Sequence, residues 1–123
     1  MKAKMIHHCI HVLDLERSLT FYRKALGFEI IRTLEGDDGS WSYTFIGNDT
    51  TPFELELSWE RDRTEPYANA ARDMHLGCEV DDLAAARALH EEMGCIVGEL
   101  GTKGIYFIAD PDGCWIEILP ANR

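Results

Sequence analysis

The chain has 123 residues, 46% of them hydrophobic, which is the size and composition of one globular domain. Its 12 basic residues face 22 acidic ones, a formal net charge of −10 at pH 7. That balance argues against nucleic acid or an anionic membrane surface as a partner, and an anionic substrate needs basic residues focused at its site. No apolar run approaches the ~18 residues of a membrane span, and the N-terminal stretch lacks a leader pattern, so the expectation is a soluble, cytoplasmic protein. Cys9, Cys78, Cys95 and Cys114 form no C-x-x-C and lie in or beside apolar runs, so buried free thiols are expected.

Residues 5–12 are apolar and partly β-branched and predict a strand. Asp14 then stands as the N-cap of a helix carrying Leu15, Leu19, Tyr22 and Leu26 on one face, with Gly27 as its C-cap. Strands follow over 28–33 and 41–46, separated by the turn-rich Glu35-Gly36-Asp37-Asp38-Gly39, and the alternating run 51–59 closes the set. Residues 60–72 are a polar, Pro-containing connection.

The order then repeats. A strand over 74–80 leads to Asp82, the N-cap of a helix with Leu83, Ala86, Leu89 and Met93 on one face, ended by Gly94. Strands follow over 95–100, 105–109 and 114–119, the last two joined by Asp110-Pro111-Asp112-Gly113, whose Asp-Gly pair favours a tight turn. The reading is an α+β fold: a single domain, 1–123, of two tandem βαβββ modules, about 5–59 and 73–120. Neither module alone is large enough to bury much core. Each helix is expected to cover one face of its sheet, leaving the other, concave face to form a cavity.

The two halves also match in chemistry. His7-His8-Cys9-Ile10-His11-Val12-Leu13-Asp14-Leu15 aligns without a gap on His75-Leu76-Gly77-Cys78-Glu79-Val80-Asp81-Asp82-Leu83, and Glu56-Leu57 aligns on Glu117-Ile118. A repeated fold unit explains the repeated apolar pattern. It does not explain why both copies keep a histidine at the start and a glutamate at the end. Alternation along a strand puts His7, Cys9 and His11 on one face, as it does Glu54, Glu56, Ser58 and Glu60. Two imidazoles and two carboxylates in equivalent places are what a divalent transition-metal site uses. His8, His11 and His90 have no histidine counterpart in the other half and are not counted as ligands. Trp41, Tyr43, Trp59 and Trp115 read as core aromatics.

With these residues in view, the chain resembles the lactoylglutathione lyase (glyoxalase I) family of the vicinal oxygen chelate superfamily, over residues 5–120. The resemblance is carried by His7, Val12-x-Asp14-Leu15-x-Arg17-Ser18, Phe21-Tyr22 and Leu26-Gly27-Phe28. It continues in Glu54-Leu55-Glu56-Leu57, His75 with Val80-Asp81, and Asp110-Pro111-Asp112-Gly113 leading to Ile116-Glu117. The Asp-Pro-Asp-Gly turn is shared across the superfamily, whereas the complete His, Glu, His, Glu set is more specific. The resemblance implies one divalent metal per site, nickel or cobalt in short relatives and zinc in others. The ligands would be His7, Glu56, His75 and Glu117. It also implies a homodimer with intersubunit sites, His7 and Glu56 coming from one chain and His75 and Glu117 from the other.

The implied reaction isomerises the hemithioacetal of methylglyoxal and a thiol, usually glutathione, to an S-lactoyl thioester through an enediolate. Glu117 is the expected base, assisted by Glu56. The resemblance breaks at His11, where relatives carry arginine, and at Glu60, where they carry asparagine. Both positions hold the thiol's end groups in relatives, and imidazole does not replace a bidentate guanidinium. Lys103 and Arg72 lie near positions where relatives bind anions, so His11, Glu60, Arg72 and Lys103 form the tentative substrate-binding set. The alternatives are an epimerase or thiol transferase of the same superfamily, or a protein that binds a small molecule or drug without turnover.

Overall fold

In the computed structural model, which describes residues 1–69 and 74–121, the chain forms two compact units, Met1–Tyr67 and Ala68–Arg123. The first contains β1 (His7–His11), α1 (Leu15–Leu26), β2 (Glu29–Glu35), β3 (Trp41–Gly47) and β4 (Glu54–Glu60). The second contains β5 (His75–Val80), α2 (Leu83–Met93), β6 (Ile96–Leu100), β7 (Ile105–Ala109) and β8 (Trp115–Pro120). Both are βαβββ modules, so the fold is α+β with a tandem repeat.

Each unit builds a four-stranded mixed sheet, ordered β1-β4-β3-β2 and β5-β8-β7-β6. The first strand of each lies parallel to the last, and the other pairings are antiparallel. A parallel neighbour needs a long crossover, which the helix supplies. The glutamate-bearing strands β4 and β8 are therefore flanked on both sides, and the histidine-bearing strands β1 and β5 lie at the sheet edges.

The helices stop and start where capping chemistry directs. Asp14 accepts a hydrogen bond from the Arg17 amide at 3.1 Å, and Asp82 accepts one from the Ala85 amide at 3.0 Å. Gly27 and Gly94 end the helices in the left-handed region, at φ 69° and 68°, where a side chain would be strained. Asp14→Ala should cost about 1 kcal/mol of stability in urea unfolding, and Asp82→Ala a similar amount. An effect below a few tenths would show that the cap hydrogen bonds contribute nothing.

Between β7 and β8, the nearly buried Asp110 accepts from the amides of Asp112 and Cys114 at 2.9 and 2.8 Å, and Gly113 turns the chain at φ 85°. This is why the Asp-Pro-Asp-Gly sequence makes a turn rather than a longer loop.

The cores follow the alternation. In the first unit, Thr44, Ile46, Leu55 and Leu57 are buried on the sheet face opposite Glu56, and α1 turns Ser18, Leu19, Tyr22 and Ala25 inward. In the second, Tyr106, Ile108, Ile116 and Ile118 occupy the corresponding face. His90 of α2 is completely buried there, its Nδ1 hydrogen-bonded to the Tyr106 hydroxyl at 2.8 Å. The polar atoms thus satisfy each other inside an apolar layer. Burial pushes the Tyr106 phenol up to about 12, so it stays neutral throughout the ordinary pH range.

Several expectations are corrected. β1 begins at His7 rather than at residue 5, and Met5 and Ile6 are exposed. Its partner β4 begins only at Glu54, after Pro52, so no ladder exists for residue 5 to join. The other strand ends either coincide or shift by up to three residues. The four cysteines are free, but none is fully buried and Cys9 is exposed. Trp41 and Tyr43 are also exposed, their rings tilted against each other with centroids 4.8 Å apart, and do not belong to the core. They alternate with the buried Ser42 and Thr44, so the strand turns them to the opposite face. On α2, Leu83, Ala86, Leu89 and Met93 are half-buried, and the most buried residue is His90.

Candidate metal centre

Strand register brings one imidazole and one carboxylate together in each unit. In the parallel pair β1/β4, His7 lies opposite Glu54 and Cys9 opposite Glu56, so His7 and Glu56 are diagonal neighbours on one face. Their Nε2 and Oε1 atoms are 3.8 Å apart. In β5/β8, His75 lies opposite Trp115 and Gly77 opposite Glu117, which repeats the diagonal, and His75 Nε2 is 3.1 Å from Glu117 Oε2. The repeat seen in the sequence is therefore a repeat of contact geometry.

A third residue type shares the symmetry. Phe45 on β3 lies opposite Glu56, and Phe107 on β7 lies opposite Glu117. Each ring meets its unit's histidine edge-on, with centroids 5.8 Å apart for His7–Phe45 and 5.2 Å for His75–Phe107. Both phenylalanines are buried. They form a wall against which each imidazole takes a set tilt, a favoured aromatic arrangement. Sequence reading missed this pair, although the repeated dipeptides Phe45-Ile46 and Phe107-Ile108 carried the signal.

The carboxylates are the more sheltered partners. The side chains of Glu56 and Glu117 are 14% and 17% exposed, against 37% and 28% for His7 and His75. A carboxylate this far out of water needs a compensating cation, hydrogen bond or metal. Cys9 adds a thiol beside Glu56. Although the residue as a whole is exposed, partial desolvation of its thiol first, then the hydrogen bond to Glu56 and that group's charge, push it up to about 12, so it stays protonated near neutrality.

Imidazole nitrogen with carboxylate oxygen is a donor set that suits a first-row divalent metal. Each unit supplies one such pair, and among the described residues no three His, Cys, Asp or Glu side chains gather as a ligand group. Each pair alone supplies two donor groups of the four that the resemblance implies.

The expected substrate-binding residues fall on different elements. His11 ends β1 on the face of His7 and packs against the Tyr67 ring at 5.3 Å, with the Arg63 guanidinium 4.2 Å from the same ring. Glu60 is exposed at the end of β4, opposite Trp41. Lys103 is exposed in the turn between β6 and β7, and Arg72 lies outside the described residues.

One functional-looking pair has no precedent in the sequence reading. Arg32 of β2 lies opposite Phe45, with its guanidinium carbon 3.7 Å from the ring centroid and Nη2 donating to Glu54 Oε1 at 3.1 Å. Nothing in the local run Ile30-Ile31-Arg32-Thr33 marks this arginine, since its position comes from pairing with β3.

Comparison with known proteins agrees with this geometry. Residues 4–118 match the model of the Glyoxalase/Bleomycin resistance protein/Dioxygenase superfamily. The chain is 32% identical to a lactoylglutathione lyase of Neisseria meningitidis serogroup A, over 94% of this chain and 89% of that protein. It is 31% identical to a lactoylglutathione lyase of Escherichia coli O157:H7, over 94% of this chain and 91% of that protein. Its fold superposes on the trypanothione-dependent glyoxalase I of Leishmania major with a TM-score of 0.85 at 26% identity, over 98% of this chain and 88% of that one. With paired βαβββ units, a matching His–Phe–Glu cluster in each and a family match spanning nearly its whole length, the chain belongs to the Glyoxalase/Bleomycin resistance protein/Dioxygenase superfamily.

Proposed function

We propose that this protein is a metal-dependent lyase of the glyoxalase I type, converting the hemithioacetal of methylglyoxal and a thiol into an S-lactoyl thioester. The observation that carries this reading is the duplicated His–Glu diagonal, His7 with Glu56 and His75 with Glu117, each against its own phenylalanine. The lactoylglutathione lyases among its relatives support it. The active species is a homodimer, in which His7 and Glu56 of one subunit share a divalent metal with the partner's His75 and the partner's Glu117. Nickel or cobalt is the favoured ion, zinc a further one, and glutathione the first thiol to test.

When bound, the metal supplies Lewis acidity that stabilises negative charge developing on the substrate oxygens. The chain's own residues do the rest. Glu117 takes the proton from the carbon bearing the thiol sulfur and returns it to the neighbouring carbon, while the hydroxyl proton passes from the first oxygen to the second, so the product is an isomer of the substrate. His75 Nε2 and Glu117 Oε2, 3.1 Å apart, are the atoms that would turn to the metal, which leaves Oε1 to meet the substrate C–H. Glu56 occupies the equivalent place in the other half-site and assists from there. Phe45 and Phe107 exclude water beside the two carboxylates and keep the imidazoles aimed.

The test is reconstitution of chelator-treated protein with nickel, cobalt, zinc or manganese, following thioester formation from methylglyoxal and glutathione. Turnover should vanish on chelation and return with one metal in preference to the others. A folded, metal-loaded protein that forms no thioester would remove this substrate and turn attention to other thiols and to the epimerase reading.

A further inference from the structure

The two half-sites are equivalent in His, Phe and Glu but differ around them: Cys9 opposite Glu56 corresponds to Gly77 opposite Glu117, and a further pair of positions differs in charge. In the first unit, the residue opposite Phe45 is Arg32 and the residue opposite His7 is Glu54. In the second, the residue opposite Phe107 is Gly98 and the residue opposite His75 is Trp115. Both edge strands carry the irregularity at the same point, between Ile30 and Arg32 and between Ile96 and Gly98, so the positions correspond. The indole of Trp115 lies against Gly98, in van der Waals contact with an added Cβ at 3.5 Å, and packs on Phe107 at 5.3 Å. One half-site therefore has an aromatic wall where the other has a charge pair. Since the second unit builds the same sheet without it, the charge pair is not a requirement of the fold.

The arginine is also held in a way that leaves it usable. Stacking on Phe45 and one hydrogen bond to Glu54 hold the guanidinium in place, yet the Arg32 side chain is 48% exposed. Its Nε and Nη1 donors have no partner among the described residues. It stands on the face that carries His7 and Glu56, and it shares the Phe45 ring with His7 as a neighbour. In a chain of net charge −10, this guanidinium is a fixed cation with an open edge beside a candidate reaction centre, its charge balanced by Glu54.

We propose that Arg32 is the anion anchor of the first half-site, taking a carboxylate of the substrate's thiol-derived part on the edge that Glu54 leaves open. A guanidinium edge matches a carboxylate with two parallel N–H donors. Glu54 and Phe45 bear the cost of orienting it before the ligand arrives. This assignment rests on the lyase reading for the reaction but not for the binding.

Two substrates and one inert ligand test it. The substrates are the methylglyoxal adducts of glutathione, which carries carboxylates, and of 2-mercaptoethanol, which does not. The ligand is S-methylglutathione, followed by calorimetry on the metal-loaded protein. Arg32→Gln should weaken S-methylglutathione by about tenfold and lower the glutathione-to-mercaptoethanol ratio of kcat/KM by a similar factor. Arg32→Lys should fall between, keeping the charge without the fork. Glu54→Gln, which keeps an acceptor for Nη2 but removes the competing charge, should tighten the same ligand.

An Arg32→Gln variant that loses both adducts equally would overturn the anchor and leave Arg32 a support for Phe45. If Arg32→Gln does not fold, an unchanged affinity in both Arg32→Lys and Glu54→Gln would overturn it instead. Should wild type turn over neither adduct, Arg32-dependent binding of S-methylglutathione would keep the anchor while the lyase reading falls.

Discussion

Glu117→Gln is expected to lower thioester formation by about 10²- to 10⁴-fold, the range for loss of a positioned general base. The substitution keeps the shape and an acceptor atom near His75 Nε2, so the fold should survive. Glutamine neither accepts the substrate proton at neutral pH nor offers a carboxylate to a metal. Two measurements separate these losses: the metal content of the purified variant, and its rate at saturating metal. A variant that regains full metal occupancy but not turnover identifies Glu117 as the base. Recovery of near wild-type turnover on metal loading would move the base elsewhere, with Glu56 the next candidate because it occupies the equivalent place against Phe45.

Phe107→Ala is expected to destabilise the protein by about 3–5 kcal/mol, measured by urea unfolding, because a large buried ring leaves a cavity. Phe107 is 1% exposed, lies between its neighbours on β7 and supports both the His75 ring and Trp115. The loss should therefore extend beyond stability to metal affinity, since the imidazole loses the wall that sets its tilt. Phe107→Leu refills most of the space and should recover most of the stability, but not the edge-to-ring contact. A cost under 1 kcal/mol for Phe107→Ala would mean that the ring is not part of the packed core and that the His–Phe contact is incidental.

Local chemistry accounts for what was legible in the chain. Asp14 and Gly27, and Asp82 and Gly94, mark both helices because caps are satisfied by residues within one turn. Strand existence followed from alternation, while strand ends did not, because a strand stops where its partner stops. β1 illustrates this: its apolar run begins at residue 5, but β4 offers pairing only from Glu54. The buried thiols and core Trp41 were misjudged for a related reason. Hydrophobicity says that a side chain can be buried, and only the sheet face decides whether it is.

The sequence by itself determined the repeated unit and its chemistry: two βαβββ modules, each with a histidine on its first strand and a glutamate on its last. Residue identity and a period of two suffice for that. Only the tertiary structure decided which residues meet. The diagonal between His7 and Glu56, the phenylalanine beside each imidazole, the burial of His90 against Tyr106 and the pairing of Arg32 with Glu54 all depend on strand register or on packing between helix and sheet. Register is a relation between segments far apart in the chain, and a shift of one residue would turn each of the strand side chains among these to the other face.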